Sequence, residues 1–411
     1  MKLTKEIFIL SFANALVTGG YAISVPFFAI YLNVERGLPA SAVGIAAATA
    51  MLGTSVASGL AGELSDAFGR KRVMSFSLAL RGINALMMAY AIYIHAHYMW
   101  TIMFYFIGSF FGAFFRPSSN AWIADNIARK NRLEAFGYIR IGLNIGWALG
   151  PVLGGLMAGK SFALAFAITG LFFLLTALFL HINIKDTFSR TVARKARFAE
   201  MVLELKNKRL ALICLFIFMI ALVSAQMVTG LSLHGIKYIK LTERQVGLLF
   251  SVNGALVVLL QYHLGKIMTY MRITTALVIG CLAYAAGYLL VGAAEGFALA
   301  AFGVAWFSIG EMAVSPGSNT LISNIAPERE RGRYLGLQEL CRNAGTAAGM
   351  IAAGVMIQHL SPVHKILPWT IICCVALTAG YGFYRLRPML SYEEDGVNQP
   401  PILPEGEEEP R

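Results

Sequence analysis

The 411 residues are 57% hydrophobic and only 14% charged, with a mean hydropathy of +0.64. A soluble domain carries about 25% charged residues, so this composition excludes a water-clothed globule and points to an integral membrane protein. The net charge of +12 would suit a nucleic-acid partner if it gathered on one face, but its distribution along the chain follows membrane topology instead.

A hydrocarbon core of about 30 Å demands roughly 20 apolar residues per helix. Such runs recur from one end to the other, and twelve spans are predicted: 7–32, 40–65, 73–93, 98–124, 135–158, 161–184, 210–235, 243–268, 272–293, 296–326, 332–357 and 365–386. Lys2 and Lys5 precede the first run and no small-residue cleavage site follows it, so it is expected to be a retained span and not a removed signal peptide. With both termini inside, the inner segments hold 24 of the 34 lysines and arginines. Six fall in outer loops, and four lie within spans: Arg81, Arg116, Arg140 and Arg342. That asymmetry is the positive-inside pattern; it sets a multi-pass orientation in the inner (plasma) membrane with cytoplasmic termini, and it leaves no basic surface for nucleic acid.

In chain order, span one offers Asn14 and Tyr21 as polar residues facing a central cavity. Span two ends in Gly62-Glu-Leu-Ser-Asp66-Ala-Phe-Gly69-Arg70-Lys71-Arg72. This stretch resembles the GxxxD-(R/K)xG-R-(K/R) signature of the major facilitator superfamily, matching at Gly62, Asp66, Gly69, Arg70 and Arg72 and departing at Ala67. Gly62 lets helix ends approach and Gly69 permits a sharp turn, while Asp66 can accept from Arg70 or face a helix N-terminus. The resemblance implies a gating cluster that docks on the start of span eleven, near Gly332 and Arg333. The corresponding loop of the second half, Gly265 to Arg272, keeps the glycine and the basic character without the aspartate.

Span three carries Arg81 and Asn84, and span four carries Arg116-Pro117-Ser118-Ser119-Asn120. A buried arginine costs at least about 2.5 kcal/mol, so these side chains should face a cavity or a partner and not lipid. The RxxxG pattern of drug-exporting members of the superfamily would put its arginine at Phe104, ahead of Gly108, so that role does not transfer to Arg116.

Span five contains Gly146-Trp-Ala-Leu-Gly150-Pro151-Val-Leu-Gly154-Gly155, similar to the GxxxGPxxGG motif of the superfamily's proton antiporters. Gly142 extends it into a smooth stripe at four-residue spacing, which lets membrane helices touch closely, while Pro151 removes a backbone donor. The resemblance implies packing of this face on span eight, closing a leak between the halves. Ordinary glycine-driven packing is the alternative.

Residues 185–209 form a basic linker, with a short amphipathic helix expected at 199–205. Beyond it the chain repeats. Arg116–Gly155 returns without a gap as Ser315–Gly354, with eleven of forty positions identical, among them Pro117/Pro316, Asn120/Asn319, Asn144/Asn343 and Gly150/Gly349. A period of half the chain means two copies of one large unit. In the second copy, span seven supplies Gln226 and His234, the latter expected at the interface, and span ten supplies Glu311, the acid nearest the membrane centre. A carboxylate there suits a group that gains and loses a proton. Pairing of Glu311 with Arg81 or Arg116 is the alternative. Glu339 is a second proton-coupling candidate, but Arg342 lies three residues on and Arg140 at the pseudo-equivalent position, so Arg140, Glu339 and Arg342 are expected to form a charge-pair group. The tail 391–411, with seven acids and four prolines, is expected to be disordered.

The five cysteines fall inside spans with no metal-ligand spacing, and no nucleophile–base pair or nucleotide loop appears. The expectation is therefore a non-enzymatic, monomeric major-facilitator fold that needs a proton gradient and no cofactor. Two pseudo-symmetric six-helix bundles, 1–184 and 210–390, would be joined by the 185–209 linker. Proton-coupled efflux of small amphipathic molecules or drugs is the leading reading, through a cavity of Asn14, Tyr21, Arg81, Arg116, Asn120, Gln226 and Glu311. A carrier of an organic acid or sugar, by symport or facilitated transport, and a non-transporting membrane sensor are the alternatives.

Overall fold

The structure is a computed structural model and describes residues 5–127, 132–184, 207–327 and 331–396. Among the described residues the fold is all helix, and the helices pair into spans. The first half comprises α1 (Lys5–Ile30), α2 (Ala40–Phe68), α3 (Arg70–Tyr93), α4 (Tyr98–Gly112), α5 (Phe115–Asn126), α6 (Arg132–Ala158) and α7 (Phe162–Asn183). The second comprises α8 (Lys208–Ala225), α9 (Thr229–Lys237), α10 (Glu243–Met268), α11 (Ile273–Ala293), α12 (Phe297–Ile325), α13 (Arg331–His359) and α14 (Leu367–Leu386). Eleven helical stretches among the described residues are long and apolar enough to cross a membrane, and Ala40–Ser55 of α2 adds a shorter apolar one.

The two halves pack alike. α1 lies on α6 as α8 lies on α13, α3 on α7 as α11 on α14, and α2 on α4 as α10 on α12. The halves meet through α6 with α10 and through α2 with α13, two crossings that exchange under the same pseudo-twofold. We call the end holding the α2–α3 turn and the α7–α8 connection the linker end, and the opposite one the far end.

Two predicted spans are broken. Span four stops at Gly112 and restarts at Phe115, because the Pro117 ring clashes with the carbonyl four residues back, that of Ala113. Its repeat partner Pro316 sits inside an unbroken α12, where the carbonyl four residues back, Met312, accepts a hydrogen bond from Gln261 Nε2 of α10 at 3.2 Å. A neighbouring helix thus supplies the bond the proline removes. Span seven breaks between Ala225 and Thr229, where the Leu231 N–H turns back to the Gln226 carbonyl at 2.8 Å.

The glycine stripe of α6 faces a different helix from the one the resemblance implies. A Cβ on Gly142, Gly146, Gly150 or Gly154 would meet the carbonyl oxygen of Ser11, Ala15, Gly19 or Ile23 of α1, at 2.6 Å for Gly146 and 2.7 Å for Gly150. Four-residue spacing on both helices makes a parallel seam inside the first half. α13 repeats it on α8, with Gly345 against the Phe218 carbonyl and Gly349 against the Leu222 carbonyl. The opposite face of α6 meets α10: Gly247 seats on the Pro151 carbonyl, Gly254 on the backbone of Trp147 and Ala148, and Gly155 on the Glu243 carbonyl. The α2–α13 crossing matches it, with Gly44 on the Met350 carbonyl and Gly354 on the Ala40 carbonyl.

The tail expectation is also corrected at its start. Residues 391–396 dock on the second half at the linker end. Asp395 is buried and its carboxylate accepts from the Thr274 backbone N–H and hydroxyl, both at 2.8 Å, capping α11. Glu394 pairs with Arg209 of α8 at 2.5 Å, and its carbonyl accepts from Asn324 Nδ2 of α12 at 3.1 Å. The rest of the tail, linker residues 185–206 with the helix expected at 199–205, and the side chains of Gly62, Asp66 and Gly332 lie outside the described residues.

Candidate functional site

Between the halves, in their linker-end part, lies an open cavity of about 800 Å³. Phe136 of α6 lines it from the first half; Asn319, Thr320, Ser323 and Asn324 of α12 and Leu335, Gln338 and Glu339 of α13 line it from the second. Gln338 Nε2 donates to Asn319 Oδ1 at 2.6 Å, so the two amides hold each other while keeping donors and acceptors toward the void. The far end is shut. Besides the glycine crossings, the Ser41 backbone N–H donates to Gln358 Oε1 across the halves at 3.0 Å. Leu38, Ala40 and Val43 share an apolar cluster there with Leu233 and Ile357.

Glu311 points from α12 toward α10, where Asn253 Nδ2 donates to its Oε2 at 2.8 Å and to Ser308 Oγ at 3.0 Å. Among the described residues it forms no ion pair with Arg81 or Arg116. Glu339 and Arg342 form a two-bond ion pair on α13, with Nε to Oε2 at 2.9 Å, both about half exposed. Arg116 is exposed at the start of α5. Asn120 is exposed one turn further on.

The other cavity candidates lie elsewhere. Arg81 is held inside the first half, its guanidinium 4.4 Å from the Phe173 ring centroid and 5.4 Å from that of Tyr21, a cation–π cage. Gly112 leaves room for it, since a Cβ there would lie 2.5 Å from its Cζ. With Asn84, whose Nδ2 donates to the Phe104 carbonyl at 2.7 Å, it lines a small void of about 40 Å³ among α1, α3, α4 and α7. Tyr21 also meets Trp147 edge-on at 6.0 Å. Asn14 is buried against α5, 3.4 Å from Ser119 Oγ. Gln226 is buried at the α8 break and donates to the Gly349 carbonyl of α13 at 2.9 Å, a tie within the second half.

In the gating cluster, Gly69 turns with φ +94° between α2 and α3, in the left-handed region that favours glycine. Arg70 bonds Ser65 Oγ at 2.5 Å and Asp125 Oδ2 of α5 at 3.1 Å, and Arg72 is exposed on the first turn of α3. Gly146, Gly150 and Gly154 serve the α1 seam, whereas Pro151 and Gly155 serve the α10 crossing. Sequence reasoning reads Asn253 as one of the polar residues of span eight but does not pair it with Glu311 and Ser308, because that pairing depends on which helices lie side by side. It also placed His234 at an interface. The structure buries it completely, its Nδ1 accepting from Trp369 Nε1 at 3.2 Å. All five cysteines are free, and among the described residues no three His, Cys, Asp or Glu side chains gather as a metal site.

Residues 10–350 match the family model described as Major Facilitator Superfamily. The chain is 26% identical over 384 residues to an uncharacterized MFS-type transporter, YdeE, of Escherichia coli K12, covering 92% of this chain and 95% of that protein. It is 24% identical over 369 residues to the quinolone resistance protein NorA of Staphylococcus aureus MSSA476, covering 88% and 93%. Among solved structures, the nucleoside transporter NupG superposes with a TM-score of 0.78 at 14% identity, covering 93% of this chain and 99% of that one. A bacterial homolog of the human lysosomal transporter Spinster superposes at 0.74 and 14%, covering 96% and 98%.

Proposed function

From the chain's membership of the Major Facilitator Superfamily, and hence its nature as a multi-pass membrane transporter, we propose proton-coupled antiport of small amphipathic molecules by alternating access, in a plasma membrane with cytoplasmic termini. The observation that carries it is Glu311, an acid between α10 and α12 whose carboxylate accepts from Asn253 Nδ2. Adding a proton removes the charge that Asn253 engages, which changes the balance between forms open at either end. Glu339 suits this role less, because Arg342 already neutralises it through two bonds. The shut far end and open linker-end cavity are one of the two forms such a cycle needs, and the resistance protein NorA at 24% identity supports the direction of export.

The test is reconstitution in vesicles with an imposed pH gradient and amphipathic fluorescent dyes of each charge type. Wild type should accumulate at least one dye in a gradient-dependent way. Glu311→Gln should lose gradient dependence and keep gradient-free exchange. Equal gradient-driven accumulation by the variant would remove the proton role.

A further inference from the structure

Arg81 is a cation with no counter-ion on the helices that surround it. α1, α3, α4 and α7 enclose its void, and the one acid on those four helices is Glu6 in the first turn of α1. From Glu6 to Tyr21 is about 22 Å at the helical rise, out of reach of the guanidinium. Among the described residues Arg81 makes no ion pair and no hydrogen bond, and only the ring faces of Phe173 and Tyr21 hold it. Ring faces attract the charge but leave its five N–H groups unbonded, and an arginine in a protein keeps its proton.

The rest of the wall adds donors. The Tyr21 and Tyr105 hydroxyls line the void and bond no other described residue. Ser24 and Ser109 line it as well. Asn84 has already given its amide N–H to the Phe104 carbonyl. Water in the void would satisfy the N–H groups and leave the charge unopposed. A monovalent anion does both, and more strongly where the dielectric is low. The volume limits which anion. At about 40 Å³ the void exceeds the 10–15 Å³ that one water needs, but it is far below the roughly 150 Å³ that admits a benzene ring.

We propose that this void is a binding site for one small monovalent anion, of chloride or formate size, held by Arg81 of α3 with the hydroxyls of Tyr21 of α1 and Tyr105 of α4. The ion serves as the missing counter-charge and ties three helices of the first half into one body. It is separate from the linker-end cavity and does not depend on the transport reading above.

The test uses the full-length purified chain in detergent, washed into sodium gluconate, whose anion is too large for the void. Chloride or formate then replaces gluconate at constant ionic strength, and the melting temperature is followed. Wild type should gain stability with the logarithm of chloride or formate concentration once the site begins to fill. Arg81→Gln should melt cooperatively with no such dependence. Tyr105→Phe and Tyr21→Phe keep the charge and remove one donor each, so the concentration at which the rise begins should move up about tenfold, the worth of a hydrogen bond to a charged group. These two variants carry the test if Arg81→Gln does not fold. A wild type indifferent to both anions would mean water alone fills the void and overturns the proposal. So does an undiminished rise in Arg81→Gln, or an unmoved onset in both tyrosine variants. 4-Phenylbutyrate should not replace formate; if it does so through Arg81, the site receives a larger carboxylate, and the small-ion assignment is wrong.

Discussion

Replacing Gly254 by alanine tests whether the α6–α10 crossing is a surface that parts. A Cβ there would lie 2.7 Å from the N and Cα of Ala148 and 2.9 Å from the carbonyl carbon of Trp147. These are backbone atoms with no rotamer to yield, and ordinary contact begins near 3.4 Å, so the helices must separate by about 0.7 Å. Overpacking of this size costs about 1–3 kcal/mol. The cost falls on the form closed at the far end, so the ratio of closed to open should drop about 5- to 150-fold. A Gln358→Cys reporter reads this ratio, because Gln358 holds Ser41 across the far end. Cys341 and Cys374, the two cysteines that are not buried, are first changed to serine. Modification of the reporter by a charged thiol reagent should then accelerate within that range. Gly150→Ala is the control, because its Cβ would meet the Gly19 carbonyl oxygen and the Ala22 Cβ at 2.7 Å inside the first half. It should lower thermal stability and leave the reporter rate alone. Equal rates in Gly254→Ala and its parent, or equal acceleration by both glycine variants, would refute the assignment of the two faces of α6.

Asp395→Ala should lower the stability of the second half by about 0.5–2 kcal/mol, the range for a lost helix cap, read as an earlier thermal transition in detergent. Glu394 gives a pH signature at the same place. Burial raises its proton affinity, but the bonds from the Ser391 backbone N–H and Arg209 outweigh it, and the carboxyl is held below its usual range. Its contribution is therefore complete above the ordinary carboxylate range and disappears as pH falls through the lower folded-state value. Glu394→Gln should flatten that acid-side decline in melting temperature. Gln261→Leu leaves the Met312 carbonyl without the donor that replaces Pro316's missing bond. It should cost about 1–3 kcal/mol, and Pro316→Ala in the same chain should restore most of it. A double variant no more stable than Gln261→Leu alone would show that the amide has another task.

The twelve-span architecture was legible because the bilayer writes it directly into composition and run length, and the repeat around Asn120 and Asn319 gave away the duplication. The contact of Glu339 with Arg342 followed from their three-residue spacing on one helix. What could not be read was partner choice. Gly142, Gly146, Gly150 and Gly154 announce close packing without saying on which helix, and only the fold shows α1 there. Pro117 and Pro316 occupy equivalent repeat positions, yet one span breaks and the other does not, because a distant glutamine bonds the freed carbonyl. Arg81 looked like a cavity charge because its aromatic cage, Tyr21 and Phe173, comes from two other spans. The start of the tail looked disordered by composition, although Ser391-Tyr-Glu-Glu394 carries the spacing of a capping box. The structure makes both of its bonds, Ser391 N–H to Glu394 Oε2 at 2.8 Å and Glu394 N–H to Ser391 Oγ at 3.2 Å.

At both crossings between the halves, a glycine rests on a bare carbonyl: Gly247 on Pro151 and Gly44 on Met350. At those two points no side chain interlocks, so sliding them apart frees or freezes no rotamers and carries little entropic toll in either direction. Such a joint resists by contact alone, like two polished plates, and its separation rate is set by the wider apolar seal and by whatever charges occupy the space below.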